Sequence, residues 1–344
     1  MNRPFGVALV GLGMAVSPHA RALADLRESV VVRHAWSPSA ARRAAFHAAT
    51  GFPVADSLEA VLEDAAVEAV ILLTPPDTHL ELVERVLAAG KHVLLEKPLE
   101  ADPQRAEAVV ASCAAAGRVL GLVLQHRFRP AAERLSALIQ DGALGAIVGA
   151  GAVIRLWRPQ SYYDQPGRGR RARDGGGVLL TQGIHTLDLL LSLAGPVAEV
   201  AAFAVTSAVH RMETEDLVAA ALKFGSGAIG TVDATTAAFP GQPERIEIIG
   251  TRATASLIGA ELDVRWHDGR TEQVRGETGT GGAGADPMAF PHDWHRALIA
   301  DFAAAVRAGR SPRADGAAGL AVHDLIGAIL RSAEQGAAVA VPVR

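Results

Sequence analysis

Through its first third the chain alternates short, unbroken apolar runs with segments of helical period, and few folds accommodate that pattern. Phe5 to Val10 is apolar and closed by glycine, a helix-period stretch runs from about His19 to Leu26, and Val30 to Val32 is a second apolar run. The alternation continues with an alanine-rich helix around Ala40 to Ala49, a strand at Ala69 to Leu73, a helix at His79 to Ala89 and a strand at His92 to Leu95. A helix at Pro103 to Ala116, stopped by Gly117, and a strand at Val119 to Leu124 complete it. Val, Leu and Ile runs without polar alternation suit strands buried on both faces, so the sheet is expected to be parallel and covered by helices. Residues 1–124 therefore read as an α/β, doubly wound (Rossmann) domain whose ligand sits beyond the carboxyl ends of the strands, at the switch point.

After Pro130 the texture changes. A helix, Ala131 to Ile139, leads to a long strand, Ala146 to Trp157, a Gly/Arg-rich loop from Arg158 to Gly177, and an apolar helix from Val178 to Leu193. Val197 to Val274 reads as successive strands with turns at Phe224-Gly225-Ser226-Gly227, Phe239-Pro240-Gly241 and His267-Asp268-Gly269. Gly279 to Ala285 reads as a flexible loop, helices at about His292 to Ala308 and Gly316 to Gln335 follow, and Val339 to Val343 is a last strand or tail. A second domain over 125–344 is expected, α+β, with a large, mostly antiparallel sheet. A chain of 344 residues, 49% hydrophobic, has room for both cores.

Composition narrows the partners. A net charge of -4 and a pI near 6.3 lack the concentrated basic face that nucleic acid requires. The single cysteine, Cys113, reads as a small buried thiol and fits a reducing compartment. The apolar stretch ending at Val10 is too short for a signal-peptide core, and no later apolar run reads as membrane-spanning, so a cytoplasmic protein with no membrane partner is expected.

The first strand-to-helix turn is Gly11-Leu12-Gly13-Met14-Ala15-Val16. Glycines there let the backbone approach a pyrophosphate at a helix N-terminus, although Val16 replaces the third glycine of the usual fingerprint. Gly11, Gly13, Met14 and Ala15 are the expected contacts. The carboxylate that normally binds the ribose 2′-OH about 20 residues on is missing. In its place stands Trp36-Ser37-Pro38-Ser39, with Arg33, Arg42 and Arg43 nearby. Ser37 and Arg42 are taken as ribose-side contacts, and the cofactor is written NAD(P), tilted toward NADP.

Four further segments carry a family resemblance: Thr74-Pro75-Pro76-Asp77-Thr78-His79, Glu96-Lys97-Pro98, Gln125-His126-Arg127-Phe128-Arg129-Pro130, and Gly175-Gly176-Gly177 through Thr181 and His185 to Asp188. In this order and spacing the chain resembles the glucose-fructose oxidoreductase, inositol dehydrogenase and rhizopine-catabolism (Gfo/Idh/MocA) family over nearly its whole length. The resemblance implies an NAD(P)-dependent dehydrogenase or reductase acting on CH-OH groups, with Thr74, Pro75, His79, Glu96 and Lys97 around the cofactor. It also implies a cis Lys97-Pro98 bond, Lys97 stabilising charge on the substrate oxygen, His185 exchanging its proton, and a homo-oligomer, dimer or tetramer, built on the second domain's sheet. Many relatives carry an aspartate where this chain has Thr181, which shares a helix face with His185 at i, i+4. Asp188 either orients the His185 ring or pairs with a backbone or arginine group.

The substrate loop gathers Arg155, Trp157, Arg158, Tyr162, Tyr163, Arg168, Arg170, Arg171 and Arg173. Most of these arginines are expected to be solvated; Arg158 and Tyr163, with Arg127 and the catalytic Thr181 and His185, are the expected substrate contacts. His292, Trp294 and His295 are candidates for the pocket wall. The pattern suggests an anionic, sugar-like small molecule: a uronate, nucleotide sugar, polyol or carboxylated dihydrodiol. No metal is expected, because the histidines lack ligand spacing. The alternative is a dinucleotide-binding sensor without catalysis on the same fold.

Overall fold

The computed structural model describes residues 3–276 and 291–342 and divides into two compact units, 1–125 with 291–319 and 126–290 with 320–344. The expected loop at Gly279 to Ala285 and the end of the expected last strand, Val343, lie outside the described residues.

In the first unit, β1 (Phe5–Val10), β2 (Val30–Trp36), β3 (Ala69–Leu72), β4 (His92–Leu95) and β5 (Leu120–Leu122) form a parallel sheet in the order β2-β1-β3-β4-β5. The connecting helices are α1 (Val16–Asp25), α2 (Ala40–Thr50), α3 (Leu58–Glu63), α4 (His79–Ala88) and α5 (Pro103–Ala115). β1 and β3 are buried at every position, as strands covered on both faces must be. The short α3, capped by Ser57 accepting from Ala60 N, escaped the sequence reading because its few apolar residues show no sustained period. Cys113 is buried, and burial pushes its thiol up to about 12.

The expected boundary at 124/125 lies within one residue of the observed one, but the expected extent of the second domain, 125–344, needs a correction, since residues 291–319 pack with the first unit. α10 (Asp293–Ala308) lies against α1, Phe302 meets Phe5 edge to face at 6.3 Å, and Leu122 N donates to Ala314 O. Without this segment, the apolar face of α1 and the β5 edge would lack their cover.

The second unit is built on a nine-stranded sheet: β6 (Ile147–Arg155), β7 (Val197–Val205), β8 (Leu217–Phe224), β9 (Ile229–Thr235), β10 (Arg245–Gly250), β11 (Ala253–Ile258), β12 (Glu261–Trp266), β13 (Thr271–Val274) and β14 (Val339–Ala340). Its order is β13-β12-β11-β10-β6-β9-β8-β7-β14, antiparallel apart from the β6/β9 pair. β8 alternates exposed and buried residue by residue, which marks a sheet with one packed face. α6 (Pro130–Gln140) and α9 (Ile184–Ala194) pack on that sheet, while Phe203 and Ile229 remain 78% and 69% exposed. α11 (Gly316–Gln335) starts in the first unit and ends in the second.

The expected continuous helix from Val178 to Leu193 is a π turn, Leu179–Gly183, followed by α9. Together with the short α8 (Arg171–Asp174), this stretch is long and apolar enough by composition to cross a bilayer, contrary to the sequence expectation. Most of its apolar part is instead buried within the protein, and the stretch is interrupted at Gly175, where φ is 72°.

Candidate active site

Strand register places the first unit's functional loops on one line. Trp36 pairs with Val10, Val10 with Leu72 and Leu72 with Leu95, so Ser37, Gly11, Leu73 and Glu96 leave the sheet side by side at its carboxyl edge. β1 and β3 are adjacent and their successors run to opposite sides, which is the switch point where α/β sheets open a ligand crevice. Gly11 has φ 101°, and a Cβ there would lie 2.7 Å from the Leu73 carbonyl. Glycine is required for the two loops to touch.

Gly13, by contrast, has open space where a Cβ would be. Beyond it α1 begins with no side-chain cap and no acidic residue in its first turn, and Met14 is exposed. A bare helix N-terminus behind a glycine turn fits a pyrophosphate, which would accept from the backbone N–H groups of Gly13, Met14 and Ala15. At the end of β2, Ser37 is buried and Ser39 caps α2 at Arg42 N. Arg43, rather than the exposed Arg42, donates to Ser37 O at 2.8 Å, and Arg33 lies mid-strand beside Gly6, away from the carboxyl edge.

His79 is fully buried and both ring nitrogens face backbone carbonyls, Nδ1 those of Pro98 and Leu99 and Nε2 that of Thr74. The expected contact from His79 to the cofactor is thus corrected to a brace between the Thr74–Pro75 and Lys97–Leu99 segments. Lys97 is half-buried just past β4, and its peptide bond to Pro98 is cis, as the resemblance implied. Glu96 accepts from His19 Nε2 (3.1 Å) and from the Lys97 amide (3.0 Å). Burial pushes the Glu96 carboxyl up, but the His19 hydrogen bond and the charges of His19, Lys97 and His295 outweigh it and hold it below the usual range. A carboxylate thus anchors the Lys97 backbone.

His292, Trp294 and His295, the candidates for the pocket wall, lie in this unit. His292 bonds Asp25 at 2.9 Å, Trp294 is buried, and His295 packs edge-on against His19 at 4.8 Å. Burial and the neighbouring His19 push His295 down to about 3. His19, Glu96 and His295 offer ligand atoms within 4.8 Å of one another, a grouping that sequence spacing could not reveal.

The second unit builds the segment around His185. Gly177 N and Leu179 N donate to the buried Glu215 carboxylate, and Val178 N to the Glu215 carbonyl. A Cβ on Gly177 would lie 1.8 Å from that carbonyl oxygen. This clamp winds the chain into the π turn that carries Thr181 toward His185. The Thr181 hydroxyl donates to Gly177 O at 2.7 Å and meets the Gln182 side-chain amide. The Gln182 amide in turn lies 3.5 Å from the Tyr162 hydroxyl. His185 is half-buried near the start of α9, its ring 4.8 Å from that of His126.

Two expected substrate contacts are corrected. Arg127 makes a bidentate pair with Asp188 (2.7 and 2.6 Å), which is 1% exposed, so its fork braces α9 and Asp188 takes the arginine-pairing role. Tyr163 is buried with its hydroxyl on Thr236 Oγ1 at 2.8 Å, and burial pushes its pKa well above the usual tyrosine value. Its neighbour Tyr162 is the accessible ring, with the Arg168 and Arg158 guanidinium groups 5.1 and 5.9 Å from its centroid. Arg158 is itself buried on the Trp157 carbonyl. Arg155, Arg170 and Arg173 stand beside Asp233, Glu213 and Asp174. The loop is pinned from below by His210, whose nitrogens meet Asp216 (2.6 Å) and Arg158 O (2.8 Å).

Comparison with known proteins agrees with both halves of this picture. The NAD-binding Rossmann model of the oxidoreductase family matches residues 5–123, and the GFO/IDH/MocA C-terminal domain model matches residues 132–256. The chain is 29% identical to D-xylose 1-dehydrogenase (NADP(+)) 2 of Haloferax volcanii, over 87% of this chain and 88% of that one. It is 30% identical to 1,5-anhydro-D-fructose reductase of Ensifer adhaerens, over 83% of each chain. Among solved structures, the WlbA dehydrogenase from Bordetella pertussis in complex with NADH and UDP-GlcNAcA superposes with a TM-score of 0.83, at 29% identity, covering 99% of this chain and 100% of that one. The chain belongs to the Gfo/Idh/MocA family and is an NAD(P)-dependent oxidoreductase.

Proposed function

We propose that this enzyme oxidises or reduces a CH-OH carbon of an anionic, sugar-like substrate, with Lys97 and His185 acting on the substrate oxygen. The anionic preference rests on Arg168, part-exposed 3.8 Å from Asp174 and 5.1 Å from the centroid of the accessible Tyr162 ring, in the segment that leads to His185. An aromatic face suits a sugar or base ring, and guanidinium groups suit a carboxylate or phosphate. The UDP-GlcNAcA complex of the WlbA dehydrogenase supports this reading.

NAD(P) supplies the two-electron acceptor that takes the hydride from the carbon. Gly11, Gly13, Met14 and Ala15 hold its pyrophosphate, with Thr74 and Pro75 across the crevice and Ser37 and Arg42 on the ribose side. Arg43 is added to them, because it is held against the Ser37 carbonyl and, in the absence of a carboxylate, favours NADP. The Lys97 ammonium offsets negative charge as it develops on the substrate oxygen, and the His185 imidazole takes the hydroxyl proton in oxidation and returns it in reduction. Thr181, whose hydroxyl already donates to Gly177 O, offers a lone pair to a substrate hydroxyl without adding charge beside His185.

The test is a fluorescence titration with NADH and NADPH, followed by uronates, nucleotide sugars and neutral polyols assayed by nicotinamide absorbance. Turnover is expected with acid-bearing substrates, and Lys97→Ala should lower it by about 100-fold or more at little cost to cofactor affinity. Equal turnover of neutral sugars would remove the anionic preference, and full activity in Lys97→Ala would remove the assignment of Lys97. The same reading includes self-association, dimer or tetramer, through the exposed sheet face bearing Phe203, Val205, Leu217 and Ile229. A monomer by sedimentation at micromolar concentration would exclude that part.

A further inference from the structure

We propose that His126 is a positioning residue for His185: a ring locked in its neutral, Nδ1–H form, against which the His185 imidazole rests while it gains and loses a proton. The inference rests on His185 being the proton-transfer group proposed above. His126 lies in the 3₁₀ turn Gln125–Phe128, and its ring stacks on that of His185 with centroids 4.8 Å apart and planes 32° apart.

Behind His126, Arg129 Nη2 lies 2.5 Å from Nε2. A guanidinium has only donors and keeps its proton, so Nε2 must present its lone pair. An imidazolium, with N–H groups at both nitrogens, would set donor against donor here. The proton of His126 is therefore on Nδ1, the nitrogen that faces Glu244 Oε1 at 3.8 Å. Arg129 has little freedom to turn away: it is 1% exposed, and its Nη1 donates to Glu244 Oε1 (2.5 Å) and Gly259 O (2.8 Å).

The charged and titratable groups of this unit around the pair are Arg127 and Arg129 on the turn itself, Glu244 from the segment entering β10, and Asp188 on α9 with His185. Arg127 and Asp188 neutralise each other, as do Arg129 and Glu244. A neutral His126 adds no charge. A proton arriving on His185 thus meets a flat, polarisable ring rather than a second cation, and the stack fixes the direction of the His185 imidazole through both protonation states.

Nitrogen NMR of the full-length protein with ¹⁵N-labelled histidine reads the lock directly, with no substrate needed. His126 is expected to show one protonated and one bare nitrogen, the proton on Nδ1, from about pH 5.5 to about pH 8.5, the range in which ordinary imidazoles change charge. An Nε2–H tautomer, or protonation of both nitrogens in that range, would overturn the proposal. In kinetics on any turned-over substrate, His126→Gln keeps an acceptor for Arg129 but removes the stacking ring. It should lower kcat by about 10-fold to 100-fold and move the pH profile, while leaving KM within about threefold. Unchanged kcat and profile would also overturn it, and the wild-type spectrum decides the matter even if the variant does not fold. His185→Gln separates the two readings: if it retains turnover, the proton-transfer assignment fails, whereas loss in His185→Gln beside full activity in His126→Gln removes the present inference alone.

Discussion

The two units hold their functional side chains by opposite means. In the first, the main chain does the holding: Gly11 packs on the Leu73 carbonyl, His79 is tied to three carbonyl oxygens, and Glu96 accepts from the Lys97 amide. In the second, buried ion pairs hold the frame, Arg127 with Asp188 and Arg129 with Glu244, beside the buried hydrogen bond of His210 with Asp216. A brace between a side chain and the main chain loses only hydrogen bonds when the side chain is changed. Ionic bracing fails when one partner is removed, because the other is left charged and desolvated. The first unit should therefore tolerate substitution better than the second.

Gly177→Ala tests that contrast hardest, since it attacks a point where the second unit also relies on the main chain. With 1.8 Å between the new Cβ and Glu215 O, either the π turn or the strand entry at Glu215 must move. The expected loss exceeds about 4 kcal/mol, enough to prevent folding or to leave a molten second unit. A variant with wild-type chemical denaturation would show that this clamp yields freely. Asp188→Ala comes next, at about 3–5 kcal/mol, because Arg127 would keep its charge with no carboxylate to meet it. The matched change in the first unit, His79→Gln, should cost less, about 1–3 kcal/mol, as lost hydrogen bonds to neutral carbonyls do. Equal losses would erase the contrast between the halves.

The same contrast explains what the sequence could disclose. Gly11 and Thr74 were legible because each stands directly after an apolar run, and Lys97 because it stands one residue beyond one; a parallel sheet brings such positions to one edge whatever their side chains. The role of Arg127 was not, because its partner Asp188 lies 61 residues on and the arginine alone looks like an available charged group; for Asp188, arginine pairing was one of the expected roles. Tyr162 and Tyr163 are neighbours, and only the packing of the second against His210 and Thr236 decides which ring is accessible. The π turn was hidden because its cause, Glu215, comes 38 residues after Gly177. The grouping of His19, Glu96 and His295 required knowing that α10 returns to the first unit.

A smaller and cleaner test of the cofactor half is Gly13→Val. A Cβ at Gly13 meets nothing within 4 Å, so the substitution should leave stability within about 0.5 kcal/mol of wild type. The added bulk would stand where the turn must approach a pyrophosphate, and NADH and NADPH affinity should both fall by at least about tenfold, or about 1.4 kcal/mol. Unchanged affinity in a well-folded variant would move the dinucleotide away from this turn.

The mildest expected effect lies at the back of the same site and concerns pH. His295 is held neutral, its pKa pushed down to about 3 by burial and by His19, from an ordinary value of 6.5. In the window between those values the unfolded chain binds a proton that the folded chain refuses, so stability rises with pH across it and is lost as the pH falls below about 6.5. One such group contributes a slope of at most about 1.4 kcal/mol per pH unit. Glu96, held low by His19, also loses stability in acid, but only as the pH falls below its usual range near 4.5. Between about pH 6.5 and pH 4.5 the two contributions therefore separate. His295→Gln, which keeps a polar side chain but cannot titrate, should flatten the dependence of the denaturation midpoint on pH in that window and leave the steeper fall below it. If the variant and the wild type lose stability in parallel from neutral pH downward, His295 is not the group that sets the upper part of the acid limb.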